Sequence, residues 1–285
     1  MSVYRNVAGI RAAVADWRRQ GLKIGLVPTM GALHEGHLTL IKTMSRHCER
    51  VVVSIFVNPR QFGPHEDFEK YPRQERFDVD KATGAGAHGI FIPAVGEMYP
   101  DGYNTAVSVP SLSSLLCGRF RPGHFDGVAT VVSKLLLQVQ PDVAIFGEKD
   151  FQQLQLIRRM VRDLDIPVTV KAGATVREAD GLAMSSRNAY LDPAQRKVAP
   201  VLYRTLQEIS RKLQSDGEAV AAAIAHGRQC LIESGFDRID YLDVCDAQTL
   251  ISLDRVAGPA RVLVAAFLGT TRLIDNLAIS PGAGA

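Results

Sequence analysis

Short, nearly uninterrupted apolar runs alternate with stretches whose apolar residues recur at helical spacing through the first part of the chain. Ile24 to Val27, Val51 to Val57, Gly89 to Ile92 and Val143 to Phe146 are strand-length. His37 to Cys48, Pro72 to Thr83 and Gly127 to Val139 instead place apolar side chains three and four residues apart, the spacing of one helix face. Strands this apolar are buried on both faces, so the alternation predicts an α/β fold with a doubly wound parallel sheet. Before the first strand, Met1 to Gln20 reads as an amphipathic helix carrying Trp17.

Ile166 to Val176 predicts one more strand leading out of this unit, and a domain boundary falls near residue 176. The expected organisation is a domain over 1–176 and a smaller C-terminal α+β domain over 177–285. The second opens with a polar loop, Asp180 to Asn188, followed by a helix near Asp192 and Pro193, where Asp can cap and Pro fits the first turn. Two helical segments and short strands around Asp240 to Val244, Val262 to Leu268 and Thr271 to Ala278 follow, suggesting an antiparallel sheet. Pro281 to Ala285 looks like a flexible tail.

Composition narrows the functional classes. With 46% hydrophobic and 22% charged residues in 285, the chain is an ordinary globular protein. A formal charge of +3 with Lys and Arg scattered gives no basic stripe, so nucleic acid is not an expected partner. No apolar run approaches the ~20 residues of a membrane helix, and the N-terminus shows no signal-peptide cleavage pattern. A cytoplasmic protein without a membrane partner is expected. Cys48, Cys117, Cys230 and Cys245 form no C-x-x-C pair and read as reduced packing residues.

The densest chemistry lies in Ile24 to His37, IGLVPTMGALHEGH, where a buried strand turns into a helix opening near His37. Such junctions hold ligands in open α/β sheets. Gly31 and Gly36 allow close backbone approach, and the helix N-terminus offers unpaired N–H groups to a phosphate. His34 and His37, three apart, face one side and suit donation to charge developing on phosphate. A solvated histidine pair is the alternative; a metal site is not expected, because no H-E-x-x-H or similar pattern supplies further ligands.

Asn58 and Gln61, in VNPRQF, offer amide donors and acceptors suited to a small polar acid. In FGEKDFQQL, Lys149 is a mobile point charge for phosphate, Asp150 can cap a helix or accept from a ribose, and Gln153 faces the same way one turn on. Arg121 and His124 lie on a loop before a helix that Asp126 is placed to cap.

Five segments together carry a resemblance: PTMGALHEGH at 28–37, VSIFVNPRQFGPHEDFEKYPR at 53–73, RPGHFDGVATVVSKL at 121–135, PDVAIFGEKDFQQL at 141–154 and MSSRN at 184–188. In order and spacing they resemble the motif blocks of pantothenate synthetases. That family belongs to the H-x-G-H nucleotidyltransferases, related to class I aminoacyl-tRNA synthetases. The resemblance extends over nearly the whole chain, weakening after about residue 215, and implies a Rossmann-like first domain.

It also implies an ATP-dependent ligase joining pantoate to β-alanine through pantoyl adenylate, acting as a homodimer with ATP and Mg²⁺. His34, His37, Lys149 and Arg187 would be catalytic. ATP would be bound by Met30, Gly31, Ala32, Leu33, His34, Glu35, Gly36 and His37, by Gly147, Glu148, Lys149 and Asp150, by Val176, and by Met184, Ser185, Ser186 and Arg187. In the MSSRN loop, Arg187 would be the cation stabilising the departing pyrophosphate and the two serines would donate hydroxyl hydrogen bonds. Gln61 would contact pantoate and β-alanine, and Gln153 pantoate. Arg121 either helps to hold an anionic substrate or supports its loop. One departure stands out: Gln74-Glu75-Arg76-Phe77-Asp78 replaces the acidic segment usual after YPR, leaving contacts there unassigned. An adenylyltransferase acting on another small acid or nucleotide, and a non-catalytic nucleotide-binding module, are the rival readings.

Overall fold

The computed structural model describes residues 1–64, 66–215 and 219–280; the expected tail at 281–285 lies outside them. The chain divides into two compact units. One holds Met1–Ser113, Arg121–Glu148 and Gln153–Ala174; the other holds Ser114–Phe120, Lys149–Gln152 and the chain from Thr175.

The first unit is built on six parallel strands: β1 (Ser2–Tyr4), β2 (Ile24–Thr29), β3 (Arg50–Ile55), β4 (Gly89–Phe91), β5 (Val143–Gly147) and β6 (Thr169–Gly173), in spatial order β1-β4-β3-β2-β5-β6. From β2 the chain adds strands outward on one side, then returns to place β5 against the other edge of β2. That reversal opens a crevice at the carboxyl ends of β2 and β5, where ligands bind in sheets of this kind. The connecting helices are α1 (Val7–Arg19), α2 (Glu35–Met44), α3 (Glu75–Gly84), α4 (Val95–Met98), α5 (Pro110–Ser113) and α7 (His124–Val139). A short α6 (Cys117–Phe120) lies in the second unit, and α8 (Phe151–Asp163) follows β5.

Val27, Val51, Val53, Ile90, Val143 and Ile145 from the strands pack with Ile41 and Met44 of α2, Ala82 of α3 and Ala85 at the α3 C-cap in one core. This two-sided burial made the strands readable as apolar runs. The N-terminus differs from the expected helix. Ser2–Tyr4 pairs with Gly89–Phe91 as an edge strand, and Asn6 then caps α1 by accepting from Gly9 N–H at 2.8 Å. A side chain satisfying that donor fixes the helix start after residue 6.

In the second unit, β7 (Arg238–Asp246), β8 (Ala260–Leu268) and β9 (Thr271–Ile279) form an antiparallel sheet in that order. Its apolar face packs Val244, Val262 and Val264 against Leu202, Leu206 and Ile209 of α10 (Val201–Ser215) and Ala223 and Leu231 of α11 (Val220–Glu233). Before α10, α9 (Pro193–Val198) starts as expected: Asp192 accepts from Ala194 and Gln195 N–H, with Pro193 in the first turn. None of the four cysteines is in a disulfide, and three are buried. No helix among the described residues is long and apolar enough to cross a membrane.

Candidate active site

Beyond β2 the chain enters a tight turn in which Gly31 and Ala32 both have positive φ, 85° and 52°. Glycine adopts this freely, whereas alanine costs on the order of 1–2 kcal/mol there, so the turn needs external support. Thr29 supplies part of it: its hydroxyl donates to the Ser54 carbonyl (2.8 Å) and accepts from Gly31 N–H (3.2 Å). The larger part comes from α3. Asp78, 2% exposed, accepts from Ala32 N–H at 2.8 Å and Leu33 N–H at 2.7 Å, while Lys81 Nζ donates to the Leu33 carbonyl at 2.8 Å. A Cβ on Gly31 would stand 3.0 Å from Asp78 Oδ2, so glycine also makes room for this carboxylate.

The turn delivers His34 as the N-cap of α2. Its Nδ1 accepts from Gly36 N–H at 3.2 Å, and His34 N–H donates to His37 Nδ1 at 3.3 Å, with ring centroids 4.1 Å apart. At this helix start the Gly36 N–H is taken by the His34 imidazole, and in the turn before it the N–H groups of Ala32 and Leu33 are taken by Asp78 and that of His34 by His37. A ring nitrogen that accepts carries no proton, so each neutral imidazole carries its proton on Nε2. The ring donors of the two histidines are thus Nε2–H groups. Glu35 is exposed and paired with Lys42 at 2.9 Å.

A second polar cluster follows β3. Asn58 and Gln61 are buried, and Asn58 caps the 3-10 turn Pro59–Gln61 by accepting from Arg60 N–H at 3.2 Å. Asn58 Nδ2 donates to Gln61 Oε1 (3.0 Å) and the Gly127 carbonyl (3.1 Å), while Asn58 Oδ1 accepts from the Tyr99 hydroxyl (2.8 Å). With Oε1 so used, the Gln61 amide directs its NH₂ toward Met30, whose Sδ lies 3.0 Å away. Burial, with Tyr103 alongside, pushes the Tyr99 phenol well above its ordinary range, so it stays a neutral donor.

Arg121 pairs with Glu66, its Nε donating to Oε1 at 2.7 Å, and donates to His124 Nε2 at 3.1 Å. A guanidinium only donates, so His124 carries its proton on Nδ1 and gives it to the Gln61 carbonyl at 2.8 Å. Of the two roles open for Arg121, this geometry favours support of the Gln61 backbone. Asp126 does not cap α7: Gly123, with φ 79°, occupies that position, and Asp126 accepts from the Ser108 hydroxyl at 2.7 Å.

Gly147 ends β5, with Glu148 directly after it, and half-buried Gln153 lies in the first turn of α8. In the second unit, the Lys149 carbonyl accepts from Asn276 Nδ2 at 2.8 Å, and Arg261 both donates to Asn276 Oδ1 (2.6 Å) and stacks over Phe151 at 3.8 Å. Lys149 is half-buried and Asp150 exposed. The MSSRN segment closes a hairpin: Met184 N–H donates to the Val176 carbonyl at 2.9 Å and Arg177 bridges Ala183. Ser185 then caps a 3-10 turn over Ser186–Tyr190, its hydroxyl accepting from Arg187 N–H at 3.3 Å. Sequence reading did not single out Tyr99, Gly127, Arg261 or Asn276, and left Asp78 without a role.

The family model described as pantoate-beta-alanine ligase matches residues 2–278. A pantothenate synthetase of Paramagnetospirillum magneticum is 54% identical over 279 residues, covering 98% of each chain. The crystal structure of pantothenate synthetase from Thermus thermophilus aligns with a TM-score of 0.93 at 48% identity, over 99% of this chain and 100% of that one. A pantoate-beta-alanine ligase from Francisella tularensis, solved in complex with beta-gamma ATP and beta-alanine, aligns with a TM-score of 0.81 at 33% identity over 97% of each chain. Matches that run the full length, on a fold whose turn from β2 into α2 carries an imidazole pair, lead to one conclusion: the chain belongs to the pantoate-beta-alanine ligase family.

Proposed function

We propose that this chain condenses (R)-pantoate with β-alanine at the expense of ATP, giving pantothenate, AMP and pyrophosphate through pantoyl adenylate. A carboxylate is a poor electrophile toward an amine at neutral pH, so its oxygen must first become part of a good leaving group. Attack of the pantoate carboxylate on the α-phosphate forms the acyl-phosphate bond and breaks the bond to pyrophosphate. The β-alanine amine then attacks the acyl carbon, AMP leaves, and the amine loses a proton. The full-length family match carries the reading and does not favour the adenylyltransferase alternative.

Within it, the Nε2–H groups of His34 and His37 donate to oxygens that gain charge as pyrophosphate separates, and Lys149 and Arg187 offset the same charge. The remaining residues of Met30 to His37 and of Gly147 to Asp150, together with Val176 and Met184 to Ser186, bind ATP. The inward NH₂ of Gln61 donates to carboxylate or hydroxyl oxygens of pantoate and β-alanine, with Asn58 and Gln153 on pantoate and Arg121 holding the Gln61 backbone. Mg²⁺ arrives as part of the MgATP substrate, on phosphate oxygens and water; the buried carboxylate of Asp78 spends both oxygens on backbone N–H groups. A cytoplasmic homodimer belongs to the same proposal, on the family resemblance alone.

Incubation with MgATP and pantoate, without β-alanine, is expected to release one equivalent of pyrophosphate per site and to leave an acyl adenylate that hydroxylamine traps. Adding β-alanine should convert it to AMP and pantothenate. Pyrophosphate release that requires β-alanine even in a single turnover would refute the stepwise mechanism.

Tyr99→Phe removes one donor from Asn58 Oδ1 and loosens the chain that aims Gln61. The pantoate KM should rise about three- to tenfold, the equivalent of one hydrogen bond worth about 0.5–1.5 kcal/mol, with the ATP KM little changed. Steady-state kinetics in both substrates checks this; an unchanged pantoate KM means Tyr99 does not orient Gln61.

A further inference from the structure

We propose that Asp78 is a positioning residue for adenylation: its buried carboxylate fixes the strained Gly31-Ala32-Leu33 turn and thereby sets the place and tautomer of His34 and His37. The inference rests on the proposed adenylation chemistry and extends it to a residue on another element. Three observations converge on it.

Asp78 is 2% exposed and accepts from two consecutive backbone N–H groups, at 2.8 and 2.7 Å. Removing a carboxylate from water is unfavourable, and such groups are weak evidence for stabilisation of a fold. The benefit here lies in geometry. Two acceptor oxygens on adjacent N–H groups hold Ala32 at φ 52°, a conformation alanine avoids. The absence of a side chain at Gly31 lets the carboxylate approach, a Cβ there falling 3.0 Å from Oδ2. From the same helix, Lys81 takes the Leu33 carbonyl at 2.8 Å, so α3 grips the turn by donor and acceptor alike.

What the turn delivers is specific. The residue after Leu33 is His34, whose N–H donates to His37 Nδ1 and whose own Nδ1 caps α2. A shift of the Leu33 peptide moves that N–H and releases the constraint keeping the His37 proton on Nε2. Gln61 is held separately, by Asn58 and through its own carbonyl. Loss of Asp78 should therefore act on adenylation more than on pantoate binding.

The test compares the intact protein with Asp78→Asn, Asp78→Ala and Lys81→Met. Asn keeps one acceptor but sets an NH₂ against the second N–H. Pre-steady-state pyrophosphate formation should slow by about tenfold or more in both Asp78 variants, the order expected when preorganised donors are displaced, and less in Lys81→Met. The ATP KM should rise while pantoate affinity, by calorimetry, stays within about threefold, less than one interfering hydrogen bond would cost. Imidazole ¹⁵N spectra should show His37 losing its preference for Nε2–H in Asp78→Asn. If Asp78→Ala fails to fold, Asp78→Asn decides. Normal adenylation in Asp78→Asn, unchanged imidazole spectra, or equal losses of pantoate binding and adenylation overturn the proposal. If the intact protein forms no pyrophosphate from ATP and pantoate, the adenylation reading itself fails, an outcome distinct from these.

Discussion

His37→Ala is expected to slow first-turnover pyrophosphate release by about 10²- to 10³-fold, the usual cost of losing one preorganised donor to developing charge. His37 is partly exposed and contributes its Nδ1 to the helix cap, while the proposed mechanism uses its Nε2–H. Loss of the cap interaction costs only about 0.5–2 kcal/mol of stability, so the melting temperature should fall modestly while the rate collapses. His34→Ala should act similarly. With the rings 4.1 Å apart and joined through one backbone N–H, the two act as a unit, and the double variant should lose much less than the product of the single losses. On the proposed mechanism, Lys149→Ala should lose about as much as His37→Ala. Rapid-quench measurement of pyrophosphate with pantoate saturating, with thermal unfolding of each variant, checks all four. Near-normal adenylation by His37→Ala would remove that residue from the catalytic set.

The parallel sheet was legible because its strands are buried on both faces and so appear as unbroken apolar runs. The first strand was not: Ser2–Tyr4 is an edge strand with no apolar run, and only its pairing with Gly89–Phe91 defines it. The residues expected at a strand-to-helix junction lie in the turn from β2 into α2, but their hydrogen bonds could not be anticipated. Asp78 reaches the turn from 45 and 46 residues away, and Asn276 reaches Lys149 from 127 away. Asp78 did leave a signal. It stands at helical spacing with Ala82 and Ala85 on the face of α3 that packs into the core, and a carboxylate on a buried face requires partners. Asn58 and Gln61 were readable as polar groups after a strand. Which way their amides point was not, because it depends on Tyr99.

Gly127→Ala separates two effects that local reasoning confuses. Within a helix interior, alanine is favoured over glycine by about 1 kcal/mol, so α7 alone would gain. The added Cβ would fall 2.2 Å from the Arg60 carbonyl oxygen and 2.8 Å from Gln61 N. Both are backbone atoms of the turn carrying Gln61, and neither can rotate away. Overpacking of this kind costs about 1–3 kcal/mol, so the net change should be destabilising. The function should suffer more: displacing the turn by about 1 Å misaligns Gln61, and misplacement on that scale costs up to about 10²-fold. It also shifts the Gly127 carbonyl that holds Asn58. Gly84→Ala, on α3 with nothing within 4 Å of the new Cβ, is the matched control and should be neutral or slightly stabilising. Denaturant unfolding and pantoate kinetics on the two variants decide the matter. If Gly127→Ala is as stable as Gly84→Ala and binds pantoate normally, the turn is free to move and Gln61 is not held in place by α7.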